Sequence, residues 1–131
     1  MSRRRSVYVE GFAHENPVPA ACVIDNVLFT GAVHGGGRGS DPEEFSPDAA
    51  TQCERMFERV LAIMSAAGGS ADDIVKMSVR IASPAVRGAL NRFWGNLFPD
   101  PHSRPARQVT VGTTQPHILV QCEVVGVLPN A

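Results

Sequence analysis

Chemistry-bearing side chains gather between residues 103 and 123 of this 131-residue chain. The segment Ser103-Arg104-Pro105-Ala106-Arg107-Gln108-Val109-Thr110-Val111 runs from a proline-stiffened loop into a strand, and a long apolar run from Ile118 to Leu128 follows. An arginine fixed at a strand entrance presents a planar fork of donors to a carboxylate, a geometry lysine does not reproduce. An isolated arginine after a proline also reads as a solvated surface charge, so the residues alone leave Arg107 open between the two. Gln121 and Glu123 fall on one face of the apolar run, where polar groups face either solvent at an edge or a pocket.

Other candidates fail on context. Gly35-Gly36-Gly37-Arg38-Gly39 lacks the Gly-Lys-Ser/Thr of a phosphate loop and no helix starts directly after it, so it reads as a mobile loop, with a lid over a pocket as the minority case. No Gly-x-Ser-x-Gly elbow marks a serine hydrolase. Asp72-Asp73 and Glu43-Glu44 read as a cap and a solvated surface. Cys22, Cys53 and Cys122 are odd in number and widely spaced, against both a disulfide framework and a zinc knuckle, and read as small buried hydrophobes. His14, His34, His102 and His117 show no metal-ligand spacing, so no metal is expected.

The elements that must position these residues follow from periodicity. Val7 to Phe12 reads as a strand. Ala21 to Ile24 and Val27 to Thr30 flank Asp25-Asn26 as a hairpin. Gly31 to Phe45 reads as loop, and Ser46-Pro47-Asp48 as the start of a helix with Cys53, Met56, Phe57, Val60, Leu61 and Met64 on its apolar face, ended by Gly68-Gly69. Ser70 caps a turn before a strand from Ile74 to Ala82, with Val75, Met77, Val79 and Ile81 on one face. Ser83-Pro84 opens a second helix carrying Val86, Leu90, Phe93, Trp94 and Leu97. Strands from Arg107 to Val111 and Ile118 to Leu128 close the order β-β-β-α-β-α-β-β. That is an α+β fold, a six-stranded mixed sheet with two helices on one face. Two helices cover one face only, so the other calls for a partner, most economically a second copy of the chain.

Composition narrows the class. With 44% hydrophobic and 19% charged residues the chain reads as a globular domain spanning 1–131. Its net charge of −1 gives no case for nucleic acid. Arg3-Arg4-Arg5 is the one cationic run, expected in a disordered basic tail over 1–6 and without the apolar stretch of a signal peptide. No run approaches membrane-spanning length, so no membrane partner and a cytoplasmic location are expected.

Several blocks resemble the reactive-intermediate deaminase family, RidA or YjgF, labelled L-PSP endoribonuclease in older usage. Asn16-Pro17-Val18-Pro19-Ala20 is similar to its Gly-Pro-Tyr entry. Asn26 to Gly31 is similar to its second strand, Ala66 to Lys76 to its helix-to-strand junction, Asn91 to Phe98 to its second helix, and Pro105-Ala106-Arg107 to its signature. The resemblance implies a chorismate-mutase-like fold and a homotrimer with clefts between subunits. It implies hydrolysis of imines and enamines of small 2-oxo acids to the keto acid and ammonia, with no cofactor. Arg107 matches the arginine that grips the substrate carboxylate. Val18, Gly31, Ala32, Asn91 and Glu123 fall at substrate-lining or supporting positions.

There are departures. Val18 replaces the family's tyrosine, Gly31-Ala32-Val33 its Ser-Gly-Gln, and Gln121 the first glutamate of its Glu-x-Glu strand. A one-residue slip would put Cys122 there, facing the other way. Gln121 can hold the attacking water but cannot take its proton. A small-carboxylate-binding trimer without catalysis is therefore the alternative reading. Ribonuclease activity has only the older label behind it.

Overall fold

A computed structural model describes residues 3–12, 16–37, 41–112 and 115–130. Its strands are β1 (Arg4–Val7), β2 (Ala21–Ile24), β3 (Val27–Thr30), β4 (Val33–His34), β5 (Ile74–Ile81), β6 (Ala106–Val111) and β7 (Val120–Val127). The helices are α1 (Ala49–Ala67) and α2 (Arg87–Leu97). The strands form one sheet in the order β1-β2-β3-β7-β5-β6, with β4 also on β7. All pairings are antiparallel except β5 with β6, which is parallel across α2. This is the expected α+β mixed sheet, with one short strand more than the periodicity showed.

The buried residues of the strands and both helices make one core, in which Leu28, Met56, Ile63, Met77, Ile81 and Leu90 are wholly enclosed. Each such side chain contributes roughly 1.5–3 kcal/mol. Along β7 burial alternates, with Val120, Cys122 and Val124 toward the helices and Gln121, Glu123, Val125 and Val127 toward the open face. Phe29, Val27 and Ile24 are exposed on that face, and Cys22 is half-buried there.

Several expectations are corrected. The chain from Arg4 is not a tail: β1 pairs with β2, and Arg5 donates to the Ala67 carbonyl at 3.0 Å, closing the end of α1. The strand expected over Val7 to Phe12 stops at Val7; beyond it Gly11 turns at φ +84° within a lone Val9–Phe12 bridge. Asp48, not Ser46, caps α1: its carboxylate accepts from the Thr51 amide at 3.2 Å and hydroxyl at 2.7 Å, while Ser46 Oγ accepts from the Asp48 amide. Leu61 is only half-buried and Ile63 takes the core position. A bulge between Ile74 and Lys76 throws Val75 outward at 49% exposure. Ser83 makes no cap bond, and a 3-10 turn over Pro84–Val86 precedes α2.

The Gly35 to Gly37 portion of the loop is packed rather than mobile. A Cβ on Gly35 would meet the Gln52 carbonyl oxygen at 2.4 Å, and one on Gly36 would meet the Phe45 ring at 2.4 Å. Glycine is needed there for close approach to Gln52 of α1 and to the Phe45 ring ahead of it. Arg38 and Gly39 lie outside the described residues.

Candidate functional site

Arg107 is the second residue of the edge strand β6, in register with the buried Met77 of β5, so its side chain runs on the helix-covered face beneath α2. Its Nη2 donates to Asn91 Oδ1 at 2.8 Å, and its guanidinium lies 4.9 Å from the centre of the Trp94 ring. Asn91 and Trp94 stand three residues apart on α2 and so share one helical face. Nη1 is buried and has no hydrogen-bond partner among the described residues. Burial, and then the neighbouring Arg87 cation, hold the Arg107 pKa below its usual value. A half-buried guanidinium with an unused donor, and with no carboxylate paired to it among the described residues, is a place for an anion.

The segment before β6 fixes that position. Arg104 Nε donates to the Phe98 carbonyl at 2.8 Å, which ties the proline loop to the end of α2. Asp100 Oδ1 accepts from the His102 amide at 2.9 Å and shapes the turn between.

Gln121 and Glu123 lie elsewhere. Both project from β7 onto the open face, where they share a shallow groove with Ser78, Arg80, Gln108 and Thr110. Within one chain the sheet separates them from Arg107: they are two strands away and on the opposite face. Cys122, the residue a one-position slip would select, is buried on the helix side and its thiol pKa is pushed up by burial. Burial likewise pushes the Cys53 thiol up to about 11.

Gly31 and Ala32 occupy a break between β3 and β4. Phe29 pairs with Val125 and Val33 with Cys122, so residues 30–32 face only 123 and 124. This puts Gly31 and Ala32 beside the Glu123 segment. Thr30, which the sequence reading passed over, fills the interrupted ladder: its hydroxyl accepts from the Val124 amide at 2.9 Å. Its β-branched position at the end of β3 was indistinguishable from ordinary strand sequence. Val18 is 47% exposed ahead of β2. The structure thus brings Arg107 to Asn91, and Gln121 to Glu123 with Gly31 and Ala32 nearby, but it does not bring the two groups together in one chain.

Two further polar clusters are structural. Gln52 is wholly buried in α1: Nε2 donates to the Ser46 carbonyl at 2.7 Å and the His117 carbonyl at 2.9 Å, while Oε1 accepts from the Leu119 amide at 2.9 Å. His34 Nδ1 accepts from the Gly36 amide at 3.0 Å, and its ring packs between Phe12 and Phe45. Among the described residues no group of three His, Cys, Asp or Glu side chains is placed to hold a metal ion, and no helix is long and apolar enough to cross a membrane.

Comparison with known proteins agrees with this architecture. Residues 18–128 match the family model described as Endoribonuclease L-PSP. The 3-aminoacrylate deaminase RutC of Acinetobacter baylyi is 29% identical over 106 residues, covering 80% of this chain and 82% of that protein. The Rid-family protein YyfA of Yersinia pestis superposes with a TM-score of 0.83 at 18% identity, over 95% of this chain and 99% of that one. Yeast Mmf1 gives a TM-score of 0.82 at 18% identity, over 96% and 99%. The chain therefore belongs to the Endoribonuclease L-PSP family, the group also called RidA or YjgF.

Proposed function

We propose that this chain hydrolyses imines, and the enamines that tautomerise to them, of small 2-oxo acids to the keto acid and ammonia. The family supports a role in imine and enamine deamination, and the relative named for 3-aminoacrylate acts on such a carboxylate-bearing compound. The observation that carries the reading is Arg107: half-buried, held by Asn91 and Trp94, and with Nη1 buried and without a partner among the described residues. A substrate carboxylate on that fork fixes the imine carbon for water. The water oxygen then bonds to carbon as a proton passes to nitrogen. The carbon–nitrogen bond of the resulting carbinolamine breaks to release ammonia and leave the carbonyl.

Gln121 holds the water by hydrogen bonds, and Glu123 lines or supports the cleft. Because these residues and Arg107 project from opposite faces of one sheet, a site that uses both sets requires a second chain. The exposed apolar patch of Ile24, Val27 and Phe29 on the same face as Gln121 suits burial against another copy. The homotrimer with clefts between subunits that the family resemblance implies would supply that second chain, each subunit being one single-domain chain. Val18, Gly31 and Ala32, lacking polar side chains, leave the cleft roomy and apolar.

The test is ammonia release from freshly generated imines of several 2-oxo acids, with wild type beside Arg107→Ala. Turnover in the wild type should fall at least about a hundredfold in the variant, the scale of losing an orienting charged contact. Equal turnover in the two would remove Arg107 from the reaction. Gln121 favours one second reading, since an amide cannot accept the water's proton. If no imine is turned over while a 2-oxo acid raises the melting temperature of the wild type alone, the chain is a carboxylate-binding member of the family.

A further inference from the structure

Arg107 needs more than a strand to hold it. A free arginine side chain has many rotamers, and a ligand must offset the entropy lost each time it fixes the group. Two contacts here fix it beforehand, and they differ in what they consume. Asn91 Oδ1 takes one hydrogen of Nη2. The Trp94 ring takes none, because an aromatic face meets the guanidinium through its π electrons and leaves the in-plane N–H groups for other partners.

Trp94 is itself braced. Phe98 packs edge-on against it with ring centres 4.7 Å apart, and the Phe98 amide donates to the Trp94 carbonyl at 2.9 Å. The Phe98 carbonyl in turn accepts from Arg104 Nε, three residues before Arg107. The contacts close a ring from Trp94 through Phe98, Arg104 and the proline loop back to Arg107. The one carboxylate in that loop, Asp100, accepts from the His102 amide, and among the described residues no ion pair joins it to Arg107, so it does not occupy the fork.

We propose that Trp94 is a positioning residue for anion binding: its ring holds the Arg107 guanidinium in place without using a donor, so that Nη1 is kept for the ligand. This rests on the reading of Arg107 as the carboxylate anchor and adds that affinity depends on an aromatic face at position 94. Trp94 acts only through Arg107.

Trp94 is the only tryptophan in the chain, so its fluorescence reports on this contact directly. Titrating the wild type with 2-oxobutanoate should change its emission saturably, and Arg107→Ala should abolish that change. Calorimetry with the same probe then ranks the variants. Trp94→Phe, which keeps a ring, should bind within about threefold of wild type, and Trp94→Leu about tenfold more weakly. In the Arg107→Ala background, followed by calorimetry at millimolar probe where weak residual binding still registers, Trp94→Leu should have no further effect, an outcome that a loss of general packing would not give. Trp94→Met replaces Leu if that variant does not fold.

Wild-type affinity in folded Trp94→Leu or Trp94→Met would overturn the proposal while leaving Arg107 as the anchor. Equal weakening with Phe and Leu would overturn it too, as would effects that simply add in the double variant. Unchanged binding in Arg107→Ala, or no saturable binding by the wild type, would instead overturn the parent reading and this proposal together.

Discussion

Gln52 in α1 and Arg107 on β6 beneath α2 are both polar side chains set against the core, and they are treated in opposite ways. The Gln52 amide makes three hydrogen bonds, to Ser46, His117 and Leu119, and is sealed from solvent. Among the described residues Arg107 makes one, rests on an aromatic ring, and keeps a buried donor without a partner. A satisfied buried polar group adds stability and specifies one arrangement of the chain, whereas an orphaned one costs stability in the free protein. Gln52 joins the segment before α1 to the segment that enters β7. Arg107 joins β6 to α2 through Asn91 and Trp94, and is left able to join something that is not part of the chain.

That contrast predicts opposite outcomes for the two. Gln52→Leu removes the amide but leaves the Ser46 and His117 carbonyls and the Leu119 amide behind in a dry site. Stability should drop by about 3 kcal/mol, with the melting temperature lower by roughly 10 °C. Ammonia release per folded molecule should be unchanged. Arg107→Ala should do the reverse, melting within a few degrees of wild type while losing function. If Arg107→Ala melts as low as Gln52→Leu, the arginine is a structural group and the contrast collapses.

Gln121 sharpens the comparison from the other face of the sheet. It is an amide like Gln52, but half-buried along a groove rather than sealed in the core. Gln121→Glu supplies a group that can take a proton from water and should raise imine hydrolysis about tenfold or more, toward the lower end of what general bases contribute. No change in turnover, with the variant folded, would place the proton transfer on Glu123 or leave the chain a binder.

The comparison also explains which features were legible in the sequence. The two helices, the hairpin at Asp25-Asn26 and the alternation along β7 are local patterns, and local patterns survive being read along a line. So was the Pro105-Ala106-Arg107 entrance to β6. Gln52 was not legible, because a single glutamine in the middle of an amphipathic helix looks solvated until the distant segment at His117 and Leu119 closes over it. Val75 misled in the same way, since one extra residue at the bulge shifts a side chain to the other face with no mark in the sequence. The separation of Arg107 from Gln121 was hidden too: strand order places β5 between β6 and β7, and only pairing shows which face each residue takes.

The smallest effect is expected from a polar group that lies wholly on the surface. Asp48 caps α1 one turn before Gln52, and its backbone carbonyl accepts from the Gln52 amide at 3.1 Å. The Thr51 hydroxyl, and then the Thr51 amide, hold its carboxyl below the usual 3.8. A carboxyl whose folded pKa is depressed adds stability that is present above its unfolded pKa and lost as pH falls through the folded one. Asp48→Ala should therefore melt below wild type at neutral pH, by less than Gln52→Leu, and the gap should narrow as pH falls below about 4, where the wild-type cap protonates. A gap that stayed constant down to acid pH would mean that the carboxylate charge contributes nothing. The first turn of α1 would then be held by the Gln52 clamp behind it rather than by the cap in front.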